Sequence, residues 1–311
     1  MAKYNFSFDV NTLSAYTDEI GQDLMAATIA EGRTTQIVDV IPNVKGIVAL
    51  NQLDGGDIVL QAAACGWSAS GTTVFKQRNL TVDYIKTEEA LCPRTLESYW
   101  LGKKMKAGSA GDSLPFESVI MGYKTAQIKE ANELLLWQGD TTSTVTNLAF
   151  FDGIWNILVD ETDTVNIPGA SSTTYANIDA SIRLLINAIP ENLMLRNDLK
   201  LFVPYAVFAN AMQKYFDGNY FHYDVDTMQK NGRFMLPASP VPVEIVATHG
   251  LSGTTNMVLT PASNIVVGTD ILNEDSKIDM WYSKDNDEIR IRSAFKLGVQ
   301  VRFPEYAVIN A

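Results

Sequence analysis

Two histidines make up the chain's whole imidazole complement, His222 in a stretch without periodicity and His249 beside Gly250. A Ser-His-Asp arrangement would need one of them, because that chemistry moves the serine proton through an imidazole. No Gly-x-Ser-x-Gly elbow surrounds any serine, no Gly-x-x-x-x-Gly-Lys-Ser/Thr phosphate loop occurs, and no Gly-x-Gly-x-x-Gly follows a strand-like run. The cluster Asp285-Asn286-Asp287-Glu288 offers oxygens to Ca²⁺, but its spacing misses the EF-hand loop and suits a hairpin turn. Cys65 and Cys92 stand apart from any Cys-x-x-Cys pattern. A disulfide framework and a structural zinc site are therefore not expected, and two free thiols suit a reducing, cytosolic place of synthesis. The expectation is no enzyme, no catalytic residue, no cofactor and no metal. A two-domain enzyme or ligand-binding protein using His222 and the 217–240 loop stands as the alternative.

The elements that would position any site are unusually long. After a polar start, residues 12–31 carry Leu13, Tyr16, Ile20, Leu24, Ala27 and Ile29 at helical spacing, with Gly32 as the stop. Residues 37–50 are rich in β-branched side chains and read as strand. Asp54-Gly55-Gly56-Asp57 marks a turn, residues 58–64 an apolar leg and Gly66 to Gly71 a small-residue tip. The return leg, 74–85, alternates with Val74, Lys76, Arg78, Leu80, Val82 and Tyr84 on one face. Together these legs predict a two-stranded arm, which alone is marginally stable in water and must lie on something else.

Residues 97–105 read as a short helix and 106–112 as a small-residue linker. Ser113 offers an N-cap, Pro115 sits in the first turn and Gly139-Asp140 ends the run, predicting a helix over 113–138 of roughly 39 Å. Residues 141–155 form a loop ending in Phe151-Asp152-Gly153-Ile154. Helices over 177–188 and 204–216, with strands over 199–203, 241–247 and 256–260, predict a compact α/β unit at 156–267. The aperiodic stretch 217–240 is a long loop of the kind that usually has a task.

The end of the chain carries the strongest pattern. Residues 277–283 read as a strand, Lys284-Asp285-Asn286-Asp287 as a turn, and Glu288 onward alternates. Ile289, Ile291, Phe295, Leu297, Val299, Val301 and Phe303 share one parity; Arg290, Arg292, Lys296, Gln300 and Arg302 share the other. At about 3.3 Å per residue this strand spans roughly 50 Å, far beyond the usual length. The cationic parity suits phosphate, a neighbouring chain's acids or plain solvent, and spacing does not choose.

The chain has 311 residues, 24 basic and 36 acidic, giving a formal charge of −12. With 46% hydrophobic and 19% charged residues it has the mixture of a folding chain of about two domains. The acidic excess argues against coating nucleic-acid phosphate, an affinity supplied by Lys and Arg. The N-terminus lacks a basic segment followed by an apolar one, and no run of some 18 apolar residues follows, so neither a signal peptide nor a membrane span is expected.

The order of long ribbon, long helix ending Leu134-Leu135-Leu136-Trp137-Gln138-Gly139-Asp140, Phe151-Asp152-Gly153-Ile154, α/β unit and closing long hairpin resembles the major capsid proteins of tailed bacteriophages. Thr260-Pro261-Ala262-Ser263-Asn264-Ile265-Val266-Val267-Gly268, the Trp281-Tyr282 strand and the strand from Ile289 to Gly298 look like that family too. The resemblance implies the α+β Hong Kong ninety-seven-type fold, shared with encapsulin shells. It implies an N-terminal arm and helix at 1–49, an extended loop at 50–92 lying across a neighbour, and a peripheral domain at 93–155 with its spine helix at 113–138. An axial domain at 156–267 and closing peripheral strands at 268–311 complete it.

The implied function is a structural protein that self-assembles as hexamers and pentamers into the icosahedral head around a double-stranded DNA genome. An encapsulin-like nanocompartment shell is the alternative. Its partners would be further copies of itself, a separate scaffolding protein, a portal and decoration proteins, with DNA enclosed but not read and no membrane. The location would be the virion, after synthesis in host cytoplasm. The assembly contacts implied are Trp67, Lys76 and Arg78 on the ribbon, Tyr220, Tyr223 and Arg233 near the axial contact, and Arg290, Arg292, Lys296 and Arg302 against acids of neighbours. Hinges are expected at Asp54-Gly55-Gly56 and at Gly108 to Gly111. Lys76 or Lys86 with Asn286 are the residues for a Lys–Asn crosslink, which no motif supports.

Overall fold

The computed structural model describes residues 25, 27–29, 32–53, 60, 71–92, 116–218, 229–230, 232–236, 239, 241–270 and 277–311. Alternation in the last third builds the first sheet. Strand β13 (Glu288–Val301) is its axis, with every odd-numbered residue from Ile289 to Val301 buried. At about 3.3 Å per residue it runs some 46 Å. One edge pairs antiparallel with β12 (Ile278–Ser283) and, further along, with β11 (Ile265–Thr269), which takes β1 (Asp39–Ile41) in parallel. The other edge pairs antiparallel with β4 (Asp83–Leu91), from Ile289 opposite Leu91 to Leu297 opposite Asp83. The turn between β12 and β13 falls at residues 284–287, as expected, with Asp287 at φ 54°. Buried Ser293 breaks the apolar parity and pairs its hydroxyl with that of Thr87 across the β4 contact.

Helix α1 (Phe116–Gln138) lies against the odd face of that sheet. At 1.5 Å per residue it is about 34 Å long. Its apolar stripe drifts, so Met121 packs near the start and Leu135, Leu136 and Trp137 near the end, while Tyr123 is left exposed. Helix α2 (Ile154–Asp160) follows the Phe151-Asp152-Gly153 turn and buries Ile154 and Leu158 in the same core.

The second sheet has seven strands in the order β5 (Val165–Asn166), β14 (Val308–Ile309), β10 (Val258–Pro261), β6 (Leu199–Pro204), β9 (Glu244–Thr248), β8 (Arg233–Met235) and β7 (Gln229–Lys230). β6 and β9 are parallel, which requires a crossover, supplied by α4 (Tyr205–Asp217). α3 (Ile178–Asn187) turns Ile178, Ile182, Leu185 and Ile186 inward. Phe234 bridges to Phe208 and Tyr215 at centroid distances of 5.4 and 5.8 Å.

The ribbon departs from expectation. The apolar leg 58–64 was expected to pair with 74–85, but β2 (Ile47–Leu53) pairs with β3 (Phe75–Thr81), from Ile47 opposite Thr81 to Leu53 opposite Phe75. Of the expected outgoing leg only Leu60 is described, and it is exposed. The return leg does not keep one face. Leu80 and Val82 are buried, then Tyr84 is exposed and Ile85 buried, because the chain leaves the ribbon at Val82 and joins β13 as β4. The strand read over 37–50 divides into β1 and β2 around Pro42 and Asn43, the latter at φ 61°.

Two strands sit where sequence did not place them. β11 carries residues 265–267, expected in the α/β unit, into the sheet of β13. β14 carries the chain's end back into the seven-stranded sheet, beside β10. The helices expected over 97–105 and most of 12–31, the linker 106–112, the hinges at 54–56 and 108–111, and Cys65, Trp67, Tyr220, His222 and Tyr223 lie outside the described residues.

Candidate assembly surface

The ribbon has two unlike faces. Leu50, Gln52 and Leu80 point inward, and Leu50 and Leu80 pack on Val266 of the long-stranded sheet. The outward residues are Ile47, Ala49 and Asn51 on β2 and Phe75, Gln77, Asn79 and Thr81 on β3, all exposed. None carries a charge, although the chain as a whole is strongly acidic. Ile47 is 68% and Phe75 75% exposed, an arrangement that favours contact, since charge is depleted at the cores of protein interfaces.

What seats the ribbon is a pair of glycines. Gly268 on β11 and Gly298 on β13 are partners in the sheet. A Cβ on Gly298 would lie 2.0 Å from the Thr81 carbonyl oxygen, and one on Gly268 would lie 2.9 Å from both Leu80 and Val82 side chains. The ribbon's exit thus crosses the sheet at backbone contact. Polar ties hold it there. The Val82 amide donates to the Gly46 carbonyl at 3.1 Å, Gln300 Nε2 to the Asn79 carbonyl at 2.9 Å, and Gln52 Nε2 to the Arg302 carbonyl. Arg78 Nη2 reaches Glu161 Oε1 at 2.5 Å, linking the ribbon to the end of α2. Lys76 is exposed on the same strand.

The cations on β13 and Arg302 just after it have acids close by within their own chain. Lys296 Nζ is 3.1 Å from buried Asp270, and Arg302 Nη1 is 2.7 Å from Asp39. Arg290 Nε lies 3.9 Å from Glu288. Exposed Arg292 stands between Glu88 and Asp279 in the register. A hydrogen bond from Lys86, with a further contribution from Arg292, holds the Glu88 carboxyl below its ordinary range. Cross-strand pairing explains this: a cation on a central strand meets the residues opposite it on two neighbours. Arg233 is half-buried on β8, opposite Lys230 and Val246.

The two sheets meet at the end of α1. Trp137 is fully buried, with its ring centroid 4.9 Å from that of Phe202 on β6. Gly250 lies flat on it; a Cβ there would come within 2.0 Å of Trp137 Cδ1. Gln138 Nε2 donates to the Gly250 and Ser252 carbonyls at 2.7 and 3.0 Å. His249, the only described histidine, places Nε2 2.9 Å from Glu130 Oε1 on α1. From the segment before β1, Arg33 Nη2 donates to the Gly232 carbonyl at 2.9 Å and Nη1 to the Tyr205 hydroxyl at 3.3 Å. Sequence reading missed Gly268, Gly298, Gly250 and Arg33; the only signal available for the glycines was their place inside patterned strands or beside a strand end.

A cleft of about 540 Å³ separates β4 and β13 from α1, floored by Ile85, Ile128, Leu135, Ile291 and Phe295 and rimmed by the Lys124–Glu89 ion pair. Among the described residues, no group of three or more His, Cys, Asp or Glu is placed to hold a metal ion, and no helix is long and apolar enough to cross a membrane.

No family model matches the sequence, and no curated protein sequence matches it. Solved structures do match. A chain of the satellite phage P4 procapsid, which includes a size determination protein, superposes with a TM-score of 0.62 at 14% identity, over 93% of this chain and 89% of that one. The capsid of Myoviridae phage XM1 gives 0.54 at 13%, over 91% and 90%. A virus-like particle from Pyrococcus furiosus gives 0.53 at 10%, over 95% and 99%. At such identities the likeness lies in backbone geometry, and it covers nine-tenths or more of this chain. The chain has the Hong Kong ninety-seven-type capsid fold.

Proposed function

We propose that this chain is the major capsid protein of a tailed phage, a structural subunit that assembles with further copies into an icosahedral head around double-stranded DNA. The observation that carries the reading is the ribbon: its inner face is seated on the chain's own sheet, and its outer face is uncharged and exposed, with Ile47 and Phe75 open to solvent. A neighbour that covers Ile47 and Phe75 removes that surface from water, and large obligate interfaces bury several thousand Å². The fold supports the same reading, because the matching structures include a phage procapsid and a phage capsid.

In this reading hexamers and pentamers form around the seven-stranded unit, with a scaffolding protein and portal as separate chains. The location is the virion, following synthesis in the host cytoplasm. DNA is enclosed without being gripped, since the net charge is −12 and the cations of β13 are already matched by acids of the same chain. The work is done by geometry and burial, with no catalytic step.

Electron microscopy of the purified chain, alone and co-expressed with a scaffold, tests this. Shells are expected from the natural chain, with DNA in particles taken from infected cells. Ile47→Asp with Phe75→Asp is expected to leave a folded protomer that no longer closes shells. Normal shells from the double variant would remove the ribbon's outer face from the interface, and a monomer under every condition would overturn the capsid reading itself.

A further inference from the structure

The cleft between α1 and the first sheet opens along a strand edge. β4 pairs with β13 on one side, and among the described residues no strand pairs with its other side. Five consecutive residues of β4, Ile85 to Glu89, line the cleft. Successive side chains of a strand point to opposite faces, so five in a row place the cleft beside the strand's backbone edge as well as over one face. In an antiparallel pair alternate residues bond the partner, and the amides and carbonyls of the others face outward. Such an unpaired edge is a template for a further strand. Across the gap, α1 lines the cleft from Lys124 to Leu135, about 16 Å of helix, and half-exposed Phe150 lines it too.

The occupant that fits is an extended segment of little charge. On the rim, Lys86 Nζ is 2.9 Å from Glu88 and Lys124 Nζ is 2.6 Å from Glu89, so these four side chains cancel one another. The chain itself carries a matching segment. Residues 4–10, Tyr-Asn-Phe-Ser-Phe-Asp-Val, precede the described residues and alternate without a break, with Tyr4, Phe6, Phe8 and Val10 apolar and Asn5, Ser7 and Asp9 polar. That is the period of a half-buried strand, and its aromatics suit a pleated surface. At about 3.3 Å per residue the segment spans some 20 Å, close to the length of the helical wall.

We propose that residues 4–10 add to the outer edge of β4 as a further strand, with Tyr4, Phe6, Phe8 and Val10 turned into the apolar cleft and their backbone bonding the outward groups of β4. Strand addition of this kind takes affinity from main-chain hydrogen bonds and selectivity from pockets for alternate side chains. The segment comes from the same chain. Thr28 and Ile29 share a small cavity with Lys129, Asn132 and Leu136 of α1, and Asn132 also lines the cleft. The two places thus flank one helix, about 10–12 Å across. Met25 is fifteen residues after Val10, a reach of about 22 Å if helical and more if extended. A tethered segment that can reach its site meets it at an effective concentration in the millimolar range, above that of a second chain. The added strand removes an open edge from the protomer. The inference concerns the protomer and stands apart from the capsid reading.

Amide exchange of β4 in the full chain reads the contact. In the natural chain protection is expected at both alternating sets of amides over residues 85–89, the set bonding β13 and the set facing the cleft. Phe6→Asp with Phe8→Asp is expected to lower protection of the cleft-facing set by about tenfold or more while the other set keeps its own. Crosslinking tests the same contact without that variant. In a background of Cys65→Ser and Cys92→Ser, Phe8→Cys with Ala131→Cys is expected to form a disulfide within one chain. Ser7→Cys with Ala131→Cys is expected not to, because residue 7 points to the opposite face. Absence of protection at the cleft-facing set in the natural chain, protection that survives the double aspartate variant, equal loss at both sets, or a Ser7 crosslink as efficient as the Phe8 one would overturn the proposal. So would a crosslinked product of doubled mass, which assigns the strand to a second copy.

Discussion

The Thr81 carbonyl sits directly over Gly298, at a point where a side-chain carbon would be 2.0 Å from the oxygen. Gly298 lies on the even-numbered face of β13, the face of Arg290, Arg292, Lys296 and Gln300, and as the position there with no side chain it lets another segment cross. Val82 then turns the chain from ribbon to sheet. The direction of the ribbon is thus set by a contact inside the subunit, before any neighbour touches it.

Gly298→Ala is expected to lower the unfolding free energy by about 1–3 kcal/mol, the range for forcing extra volume into packed structure. The neighbouring atom is backbone, so no side-chain rotation relieves it. Denaturant unfolding of the protomer measures the loss, and exchange of the Val82 amide, which donates to Gly46, reports whether the ribbon has lifted. An unchanged midpoint with unchanged Val82 protection would show that the crossing yields freely.

Gly250→Ala is expected to destabilise the joint between the sheets by a similar 1–3 kcal/mol. Here the obstacle is the Trp137 ring at 2.0 Å together with the Glu133 carbonyl. The ring has nowhere to go, being fully buried between α1 and Phe202. Tryptophan fluorescence and near-ultraviolet circular dichroism should change with the midpoint, because the indole, whose Nε1 donates to the Thr34 hydroxyl at 2.7 Å, must tilt away from that partner.

Arg78 and Glu161 join the ribbon to the end of α2 while both remain partly open to solvent, 21% and 34% by side chain. Solvent screening limits such a pair to about 0.2–1 kcal/mol. A double-mutant cycle with Arg78→Ala and Glu161→Ala is expected to give a coupling in that range that shrinks in high salt. A coupling insensitive to salt would mean that packing of the Arg78 stem dominates.

Periodicity made much of this fold readable. The hairpin at 284–287, the parity of β13, the spine helix and the helices and strands of the α/β unit follow from local pattern, because one face of each is buried by its own neighbours. The ribbon's pairing was not readable. β2 and the expected leg at 58–64 are both apolar, and only the crossing over Gly298, a contact distant in sequence, selects between them. The cations of β13 were legible as a stripe, but their partners Asp39 and Asp270 arrive through parallel pairing of β1 and the end of β11, which alternation does not encode. The joint built from Arg33, Trp137 and Gly250 left no local signal, since each residue taken singly has an ordinary explanation.

Asp198 offers a pH-dependent prediction. Arg196 grips it with two nitrogens, Nε at 2.8 Å and Nη2 at 2.7 Å, and Ser263 donates at 2.8 Å. The Arg196 hydrogen bonds, outweighing partial burial, hold the Asp198 carboxyl below its ordinary value of 3.8. A folded form that gives up its proton more readily than the unfolded one gains stability above the unfolded value. That gain is lost as pH falls through the depressed value. Asp198→Asn is therefore expected to lower stability at neutral pH by about 1 kcal/mol, allowing for solvent screening, and to remove part of the acid-side decline. Denaturant midpoints from neutral pH down to pH 3 check this: the natural chain and the variant should converge as acid protonates Asp198. Parallel curves would mean that Asp198 acts through its shape in the loop and not through its charge.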